Sequence, residues 1–113
     1  MEVKELLKKQ VAQDESIGFP VKFSNSIAKY DQLTKDLVGL FGEIGEFSNI
    51  VKKINIKLSK QDQYEFDIEL AEKGLKEELT DTFIYILRIA AILNVDIEKE
   101  VIKKMEVNAK RYE

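Results

Sequence analysis

Apolar residues recur along most of the chain at intervals of three and four, the spacing at which side chains share one face of an α-helix. Four such segments are separated by stretches of Gly, Pro, Ser, Asn and Asp, which favour loops and turns. The predicted helices span residues 1–15, 27–58, 67–93 and 97–110. The pattern therefore predicts an all-α fold, an antiparallel helical bundle of four to five helices with one long connection.

The predicted core lies on the apolar faces of these helices. On the first long helix, nine residues define this face: Leu33, Leu37, Leu40, Phe41, Ile44, Phe47, Val51, Ile54 and Leu58. On the last helix, four residues are expected to face inward: Val101, Ile102, Met105 and Ala109. The aromatic residues Phe19 and Phe23 fall in the first loop, where they either close the end of the core or form a lid near a site. The 113 residues suffice for one domain, residues 1–113, and are too few for two.

Three glycines inside the first long helix require an explanation. Gly39, Gly42 and Gly45 follow one another at intervals of three, and each costs a helix about 1 kcal/mol relative to alanine. Close approach of a neighbouring helix or of a ligand would explain them. A local break in the helix is the alternative, although the apolar period continues through the segment without a change of phase.

The composition restricts the chemistry of any active site. The chain contains no cysteine and no histidine, which excludes thiolate nucleophiles, Ser-His-Asp triads and the usual zinc sites. Metal chemistry would rest on oxygen ligands, which favour Mg²⁺ or Mn²⁺. The net charge of −3 argues against nucleic acid as the main partner. No membrane span and no signal peptide are expected, and the cytoplasm is the expected location.

Two pairs of carboxylates stand in otherwise apolar helix segments. Glu43 and Glu46 are three residues apart, as are Glu78 and Asp81, so each pair lies on one helix surface about 5–6 Å apart. If the two helices pack antiparallel, four carboxylates meet and require a cation, for which Mg²⁺ is the best match. Glu-x-x-Glu is also common on solvated helix faces. The flanking apolar residues and glycines favour the metal site, and the absence of histidine argues against a ferritin-like di-iron site.

These residues match a known family. The segments Gly42–Phe47 and Glu77–Tyr85, together with the C-terminal segment that starts at Val95, resemble the MazG-like nucleotide pyrophosphohydrolases of the all-α NTP pyrophosphatase superfamily. The resemblance is greatest to the dCTP pyrophosphatase branch and covers roughly residues 30–112. In the C-terminal segment it is carried by Asp96, Ile97, Lys104, Met105, Asn108, Arg111 and Tyr112.

The resemblance implies Mg²⁺-dependent hydrolysis of a nucleoside triphosphate, usually a deoxynucleotide, to the monophosphate and pyrophosphate, by a homodimer or homotetramer. Such enzymes clear unwanted nucleotides from the cellular pool. Glu43, Glu46, Glu78 and Asp81 correspond to the metal ligands, and Glu43 or Glu46 would orient or deprotonate the attacking water. Substrate contacts would come from Tyr85, Lys104, Asn108 and Arg111, with Lys53 as a weaker candidate. Lys104 and Arg111 would equally suit the negative end of the helix dipole.

The chain also departs from the family pattern. Gly42 stands where many members have a further glutamate, the gap between Glu46 and Glu78 is long, and the aromatic residues that sandwich the base in the dCTP branch have no clear counterpart. The base preference is therefore open. Two alternatives stand beside the main prediction: a non-catalytic helical interaction module, and a hydrolase of the same superfamily that acts on dUTP or phosphoribosyl-ATP.

Overall fold

The computed structural model describes residues 1–112 and contains four α-helices. Helix α1 spans Val3–Ser16, α2 spans Ser26–Lys60, α3 spans Ile68–Ile92 and α4 spans Ile97–Arg111, and a short 3₁₀ helix, Gln61–Gln63, follows α2. The described residues contain no strand, so the all-α prediction is confirmed, with four helices close to their predicted positions. In this part of the chain, no helix combines the length and apolarity that a bilayer crossing requires.

Side-chain caps fix where three of the helices begin. Asn25, Asp67 and Asp96 each accept a hydrogen bond from the backbone N–H three residues later, at 2.8, 3.1 and 3.2 Å. Such caps satisfy N–H groups that lack a partner within the helix and typically contribute about 1 kcal/mol. Asp96 is thus the N-cap of α4, where its side chain accepts the hydrogen bond from the backbone N–H of Lys99.

Contacts divide the chain into two compact units. The terminal unit comprises Met1–Thr34 and Ile86–Glu113, and the central unit comprises Lys35–Tyr85. Helices α2 and α3 each contribute residues to both units. The prediction of a single domain over residues 1–113 stays a prediction.

In the terminal unit, a small apolar core surrounds a buried ion pair. The buried apolar residues are Val21, Leu87, Ala90 and Ile92. The guanidinium of Arg88 lies 2.9 Å from the carboxylate of Asp14, and both side chains are buried. Arg88 also donates to the backbone carbonyls of Phe19 and Pro20, at 3.4 Å each. The pair therefore ties the end of α1 and the following loop to α3.

In the central unit, α2 and α3 run antiparallel. Gly39 lies directly against the ring of Tyr85, and the side chain of Ile50 lies 3.2 Å from the position that a Cβ would take at Gly74. From the first contact to the second, the residue number rises along α2, from Gly39 to Ile50, and falls along α3, from Tyr85 to Gly74. The two helices are therefore antiparallel. Helix α2 is continuous through its three glycines, so the alternative of a local break is wrong.

Hydrogen bonds from one lysine and a stacked aromatic pair stabilise the connection between α2 and α3. Lys57 donates hydrogen bonds to the backbone carbonyls of Gln61 and Tyr64, both at 2.7 Å. The rings of Tyr64 and Phe66 stack with their centroids 5.7 Å apart. These contacts reverse the chain direction after α2 and set the start of α3.

The wide apolar face predicted for α2 is divided into a covered and an exposed stripe. The covered stripe consists of the half-buried residues Leu33, Leu40, Phe47 and Ile54. The exposed stripe consists of Leu37, Phe41, Ile44, Val51 and Leu58, whose side chains are 36% to 65% exposed. The predicted face is therefore too wide, because the chain covers only one side of α2.

The predicted inward face of α4 is wrong. Val101, Ile102 and Met105 are 42%, 53% and 63% exposed, and Ala109 is also exposed. The reason is that α1 lies against α4 but no part of the described chain covers these four residues. An amphipathic period thus identified the helix correctly without showing which side of it is buried.

Candidate metal centre

Three carboxylates of the central unit converge on one point. One carboxylate oxygen from each of Glu43, Glu46 and Glu78 lies within 4.8 Å of the other two. The spacing of three residues puts Glu43 and Glu46 on one side of α2, and the antiparallel packing brings Glu78 of α3 opposite them. The three glutamates therefore meet, whereas their role as metal ligands stays a prediction.

Glu78 has the least compensated carboxylate of the three. Its Oε2 atom is buried without a hydrogen-bond partner among the described residues, whereas the Glu43 side chain is half-buried and that of Glu46 is exposed. A buried carboxylate oxygen without a partner is unfavourable, because it has lost its water and gained nothing in exchange. A proton or a cation would remove this penalty.

The electrostatic setting shows the same lack of compensation. The pKa of Glu78 is raised to about 8 by a hydrogen bond with Glu43, by burial, by a hydrogen bond with Glu46 and by the negative charges of both neighbours acting together. Without a metal ion, Glu78 therefore holds a proton at neutral pH. The protonated carboxyl group can donate a hydrogen bond to a neighbouring carboxylate, which explains the direction of the shift.

The dimensions and chemistry of the group fit a small divalent cation. Mg²⁺ binds oxygen ligands at about 2.0–2.1 Å, so two ligands on opposite sides of the ion lie about 4.2 Å apart. Three carboxylate oxygens within 4.8 Å of one another are therefore close enough to share one ion once the side chains move inward around it. The ion would also provide the missing partner for Glu78 Oε2.

Asp81 does not join the three glutamates. Its side chain is exposed on α3 and lines a shallow depression with Lys76, Glu77 and Thr80. Its side chain is one methylene shorter than a glutamate, which reduces its reach toward α2. Of the four predicted ligands the structure brings together three, and a role for Asp81 as a metal ligand stays a prediction.

Tyr85 lies on the same face of α3 as Glu78, two helical turns or about 10.5 Å further along. Its ring rests on Gly39, where a side chain would overlap the ring atoms. Close approach therefore explains Gly39. It does not explain Gly42 or Gly45, because, apart from the adjacent residues and the backbone of α2 itself, no atom of the described residues lies within 4 Å of the Cβ position at either glycine. These two leave open space on α2 beside Glu43.

The remaining predicted substrate residues are solvent-exposed. Lys53 is exposed on α2, and Lys104, Asn108 and Arg111 are exposed on α4 in the terminal unit. The last three recur at intervals of four and three, so they share one face of α4. Their contacts with a nucleotide stay predictions.

Sequence reasoning missed the buried carboxylate of Asp36. This side chain is 4% exposed and lies on α2, seven residues before Glu43 and therefore on nearly the same face. It interacts with other groups of the chain. The sequence signal that could have identified Asp36 is its position one heptad before Glu43, which puts both carboxylates on nearly the same side of α2. In the loop, Phe23 is half-buried and Phe19 is 52% exposed.

Comparison with known proteins relates the chain to a nucleotide pyrophosphatase. It is similar to dCTP pyrophosphatase 1 of Rattus norvegicus, Homo sapiens and Mus musculus, with 32% identity over 84 residues in each case. The match covers 67% of this chain and 43% of each relative, so the chain spans less than half the length of the curated relatives it matches. No family model matches the chain. No solved structure matches it significantly.

Proposed function

We propose that the protein is a Mg²⁺-dependent nucleoside triphosphate pyrophosphohydrolase, which converts a nucleoside triphosphate, preferably a deoxynucleotide, to the monophosphate and pyrophosphate. The observation that carries this proposal is the convergence of Glu43, Glu46 and Glu78 around a buried carboxylate oxygen without a partner. The similarity to dCTP pyrophosphatase 1 supports the reaction class.

Glu43, Glu46 and Glu78 would hold the ion, with Asp81 as a proposed fourth ligand from the next turn of α3. An all-oxygen ligand set favours Mg²⁺, and Mn²⁺ is the natural substitute. When bound, the ion offsets the charge of the polyphosphate and acidifies water at the site. The open space beside Gly42 and Gly45 would give a triphosphate access to this group.

The reaction also needs a base. The chemistry is attack of water on the α-phosphorus, with cleavage of the bond between that phosphorus and the bridging oxygen and departure of pyrophosphate. We assign the base to a carboxylate oxygen of Glu46 or Glu43. Glu46 is favoured because it is the exposed member of the group and can accept a proton from water directly.

The substrate would be held by groups outside the carboxylates. Tyr85, seated on Gly39, offers a ring and a hydroxyl on the same face of α3 as Glu78. Lys104 and Arg111 carry the positive charge that a triphosphate requires, and Asn108 offers an amide between them. Lys53 is a further candidate for a phosphate contact.

We also propose that the protein works as a homodimer or homotetramer. The exposed stripe of α2 leaves a row of large apolar side chains on the surface, and such rows usually mark an interface. Leu37, Ile44, Val51 and Leu58 repeat every seven residues, which suits packing against another helix. Sedimentation of Phe41→Lys should show smaller particles than the wild type, whereas Val38→Lys, a change at an equally exposed residue outside the stripe, should not.

A panel of pyrophosphate-release assays tests the proposed reaction. Canonical nucleoside triphosphates and deoxynucleoside triphosphates, dUTP and phosphoribosyl-ATP would be compared with Mg²⁺, with Mn²⁺ and with EDTA. At least one should yield pyrophosphate with Mg²⁺ and none should with EDTA. The panel also identifies the preferred base, and a complete lack of turnover and of Mg²⁺-dependent thermal stabilisation would indicate a non-catalytic interaction module instead.

Two variants then test the assigned residues. Glu46→Gln should lower turnover by about 10²–10⁴-fold, the range expected for loss of a positioned base, with unchanged helical circular dichroism. Asp81→Asn should also lower turnover if Asp81 completes the ligand set. Glu72→Gln, the same change on an exposed part of α3, is the matched control. Full activity in both site variants would contradict the assignment.

A further inference from the structure

The terminal unit contains a cavity of about 710 Å³ that the proposed reaction does not use. It lies between α1, the segment from Val21 to Phe23, and the C-terminal end of α3. Val21, Ala90 and Ile92, three of the buried apolar residues, form part of its wall. The remaining apolar lining residues are Leu7, Val11, Phe23, Ala91 and Val95. The volume is in the range of about 300–1,000 Å³ that is usual for small-molecule sites.

All ionisable groups that line this cavity are cations. Lys8, Lys22 and Lys29 line it together with the apolar residues, and no carboxylate of residues 1–112 does. The chain as a whole has 21 acidic and 18 basic residues, so the positive charge of this cavity does not follow from the overall composition. Among residues 1–112, none of the three ammonium groups has a carboxylate within ion-pair distance, and that of Lys29 lies 5.6 Å from the centre of the Tyr30 ring.

Besides the three ammonium groups, which are donors only, the cavity offers few hydrogen-bonding side chains. Among the described residues that line it, Asn94 is the one neutral polar side chain. The donor groups of a nucleobase would find few acceptors on walls of this kind and would stay unsatisfied, which is costly. A hydrocarbon chain has no hydrogen-bonding groups and would leave none unsatisfied there. If that chain ends in an anionic group, the flexible lysines can reach the charged end while their methylene groups cover the apolar part.

We propose that this cavity binds an amphipathic anion, with a hydrocarbon body against the walls formed by Val21, Ala90 and Ile92 and one acidic head group held by Lys8, Lys22 and Lys29. The head group can be a carboxylate or a phosphate, since both offer the oxygen acceptors that an ammonium group binds. None of the residues that line the cavity belongs to the three-glutamate group.

Titration of the ¹⁵N-labelled protein with decanoate, decyl phosphate and decanol tests the proposal. Both anions should shift amide signals of residues that line the cavity, and whichever binds more tightly identifies the head group. Decanol has the same chain without the charge and should bind more weakly. Equal binding of decanol, shifts confined to the exposed stripe of α2, or no saturable binding of either anion would overturn the proposal.

Charge variants provide the matched comparison. The double variant Lys8→Gln/Lys22→Gln should bind the preferred anion roughly tenfold more weakly, as expected for the loss of two partly exposed ion pairs. Lys9→Gln changes the neighbouring, exposed lysine that does not line the cavity, and should bind like the wild type. Ala91→Leu should narrow the cavity and weaken binding of the hydrocarbon body. Equal affinity in the double variant and in Lys9→Gln, or displacement of the anion by dCTP, would contradict a separate anionic site.

Discussion

Binding of Mg²⁺ to the three-glutamate group should release a proton from Glu78. The hydrogen bond to Glu43 and the burial of the carboxyl group raise the pKa of Glu78 to about 8, so the metal-free protein keeps this group protonated at neutral pH. A cation binds the carboxylate and not the carboxylic acid, so the ion and the proton compete for the same oxygen atoms. Metal affinity should therefore increase with pH until Glu78 is ionised.

The size of the effect follows from the ionised fraction of Glu78. With a pKa of about 8, about 1% of the group is ionised at pH 6 and about half at pH 8. The apparent affinity for Mg²⁺ should then rise about tenfold per pH unit at first and about 50-fold between pH 6 and pH 8, with a plateau above that range. In Glu78→Gln, which has no proton to displace, the affinity should be lower and its dependence on pH much weaker.

Isothermal titration calorimetry measures both the affinity and the proton. At pH 6.5, titrations in two buffers with different ionisation enthalpies should show that close to one proton is released per ion, and at pH 9 almost none. The same experiment with Glu72→Gln controls for the loss of a carboxylate elsewhere on α3. An affinity that does not change between pH 6 and pH 8, or binding without proton release at pH 6.5, would refute the reasoning.

The stability of the metal-free protein should respond to pH in the opposite direction. The folded state binds the Glu78 proton more tightly than the unfolded state, whose pKa is near the ordinary value of 4.5. This contribution to the free energy of unfolding is therefore complete below about pH 4.5 and is lost as the pH rises through about 8. Urea titrations should show Glu78→Gln becoming more stable relative to the wild type as the pH rises, and a pH-independent difference would contradict the assignment.

Two further predictions concern packing. Gly42→Ala and Gly45→Ala should each raise the free energy of unfolding by up to about 1 kcal/mol, because their Cβ positions are open. Gly39→Ala should lower the free energy of unfolding by about 1–3 kcal/mol, because the added methyl group displaces the ring of Tyr85. Equal effects of the three changes in urea titrations would contradict this packing. Arg88→Met should lower the free energy of unfolding by about 3–5 kcal/mol, because the buried carboxylate of Asp14 loses its counter-charge and keeps only the hydrogen bond from Gln10. Adding Asp14→Asn should recover part of the loss, whereas strictly additive losses would contradict a coupled pair.

The helices could be predicted from the sequence because they depend on local patterns. The three-and-four spacing of apolar residues locates all four helices, and the cap at Asp96 is a local signal as well. The i,i+3 spacing likewise put Glu43 and Glu46 on one side of α2, and the antiparallel arrangement then required Glu78 opposite them. The main elements of the candidate site thus follow from periodicity and direction.

Features that depend on distant contacts could not be predicted in the same way. The partner of Arg88 is Asp14, 74 residues earlier in the chain, and no local pattern connects the two. Periodicity could also not show which side of an amphipathic helix is covered, so the exposure of Met105 was missed. For Asp81, the spacing gave the correct helix but not the orientation of a short side chain relative to the three glutamates.

The most direct test of the account is hydrolysis of dCTP in oxygen-18 water, with and without Mg²⁺, followed by mass spectrometry of the products. The account predicts Mg²⁺-dependent formation of monophosphate and pyrophosphate, with the label in the monophosphate because water attacks the α-phosphorus, and loss of this reaction in Glu46→Gln. Other nucleoside triphosphates would be treated in the same way if dCTP is not the preferred substrate. Label in the pyrophosphate or in inorganic phosphate, or turnover that persists in EDTA, would contradict the proposed role of Glu43, Glu46 and Glu78.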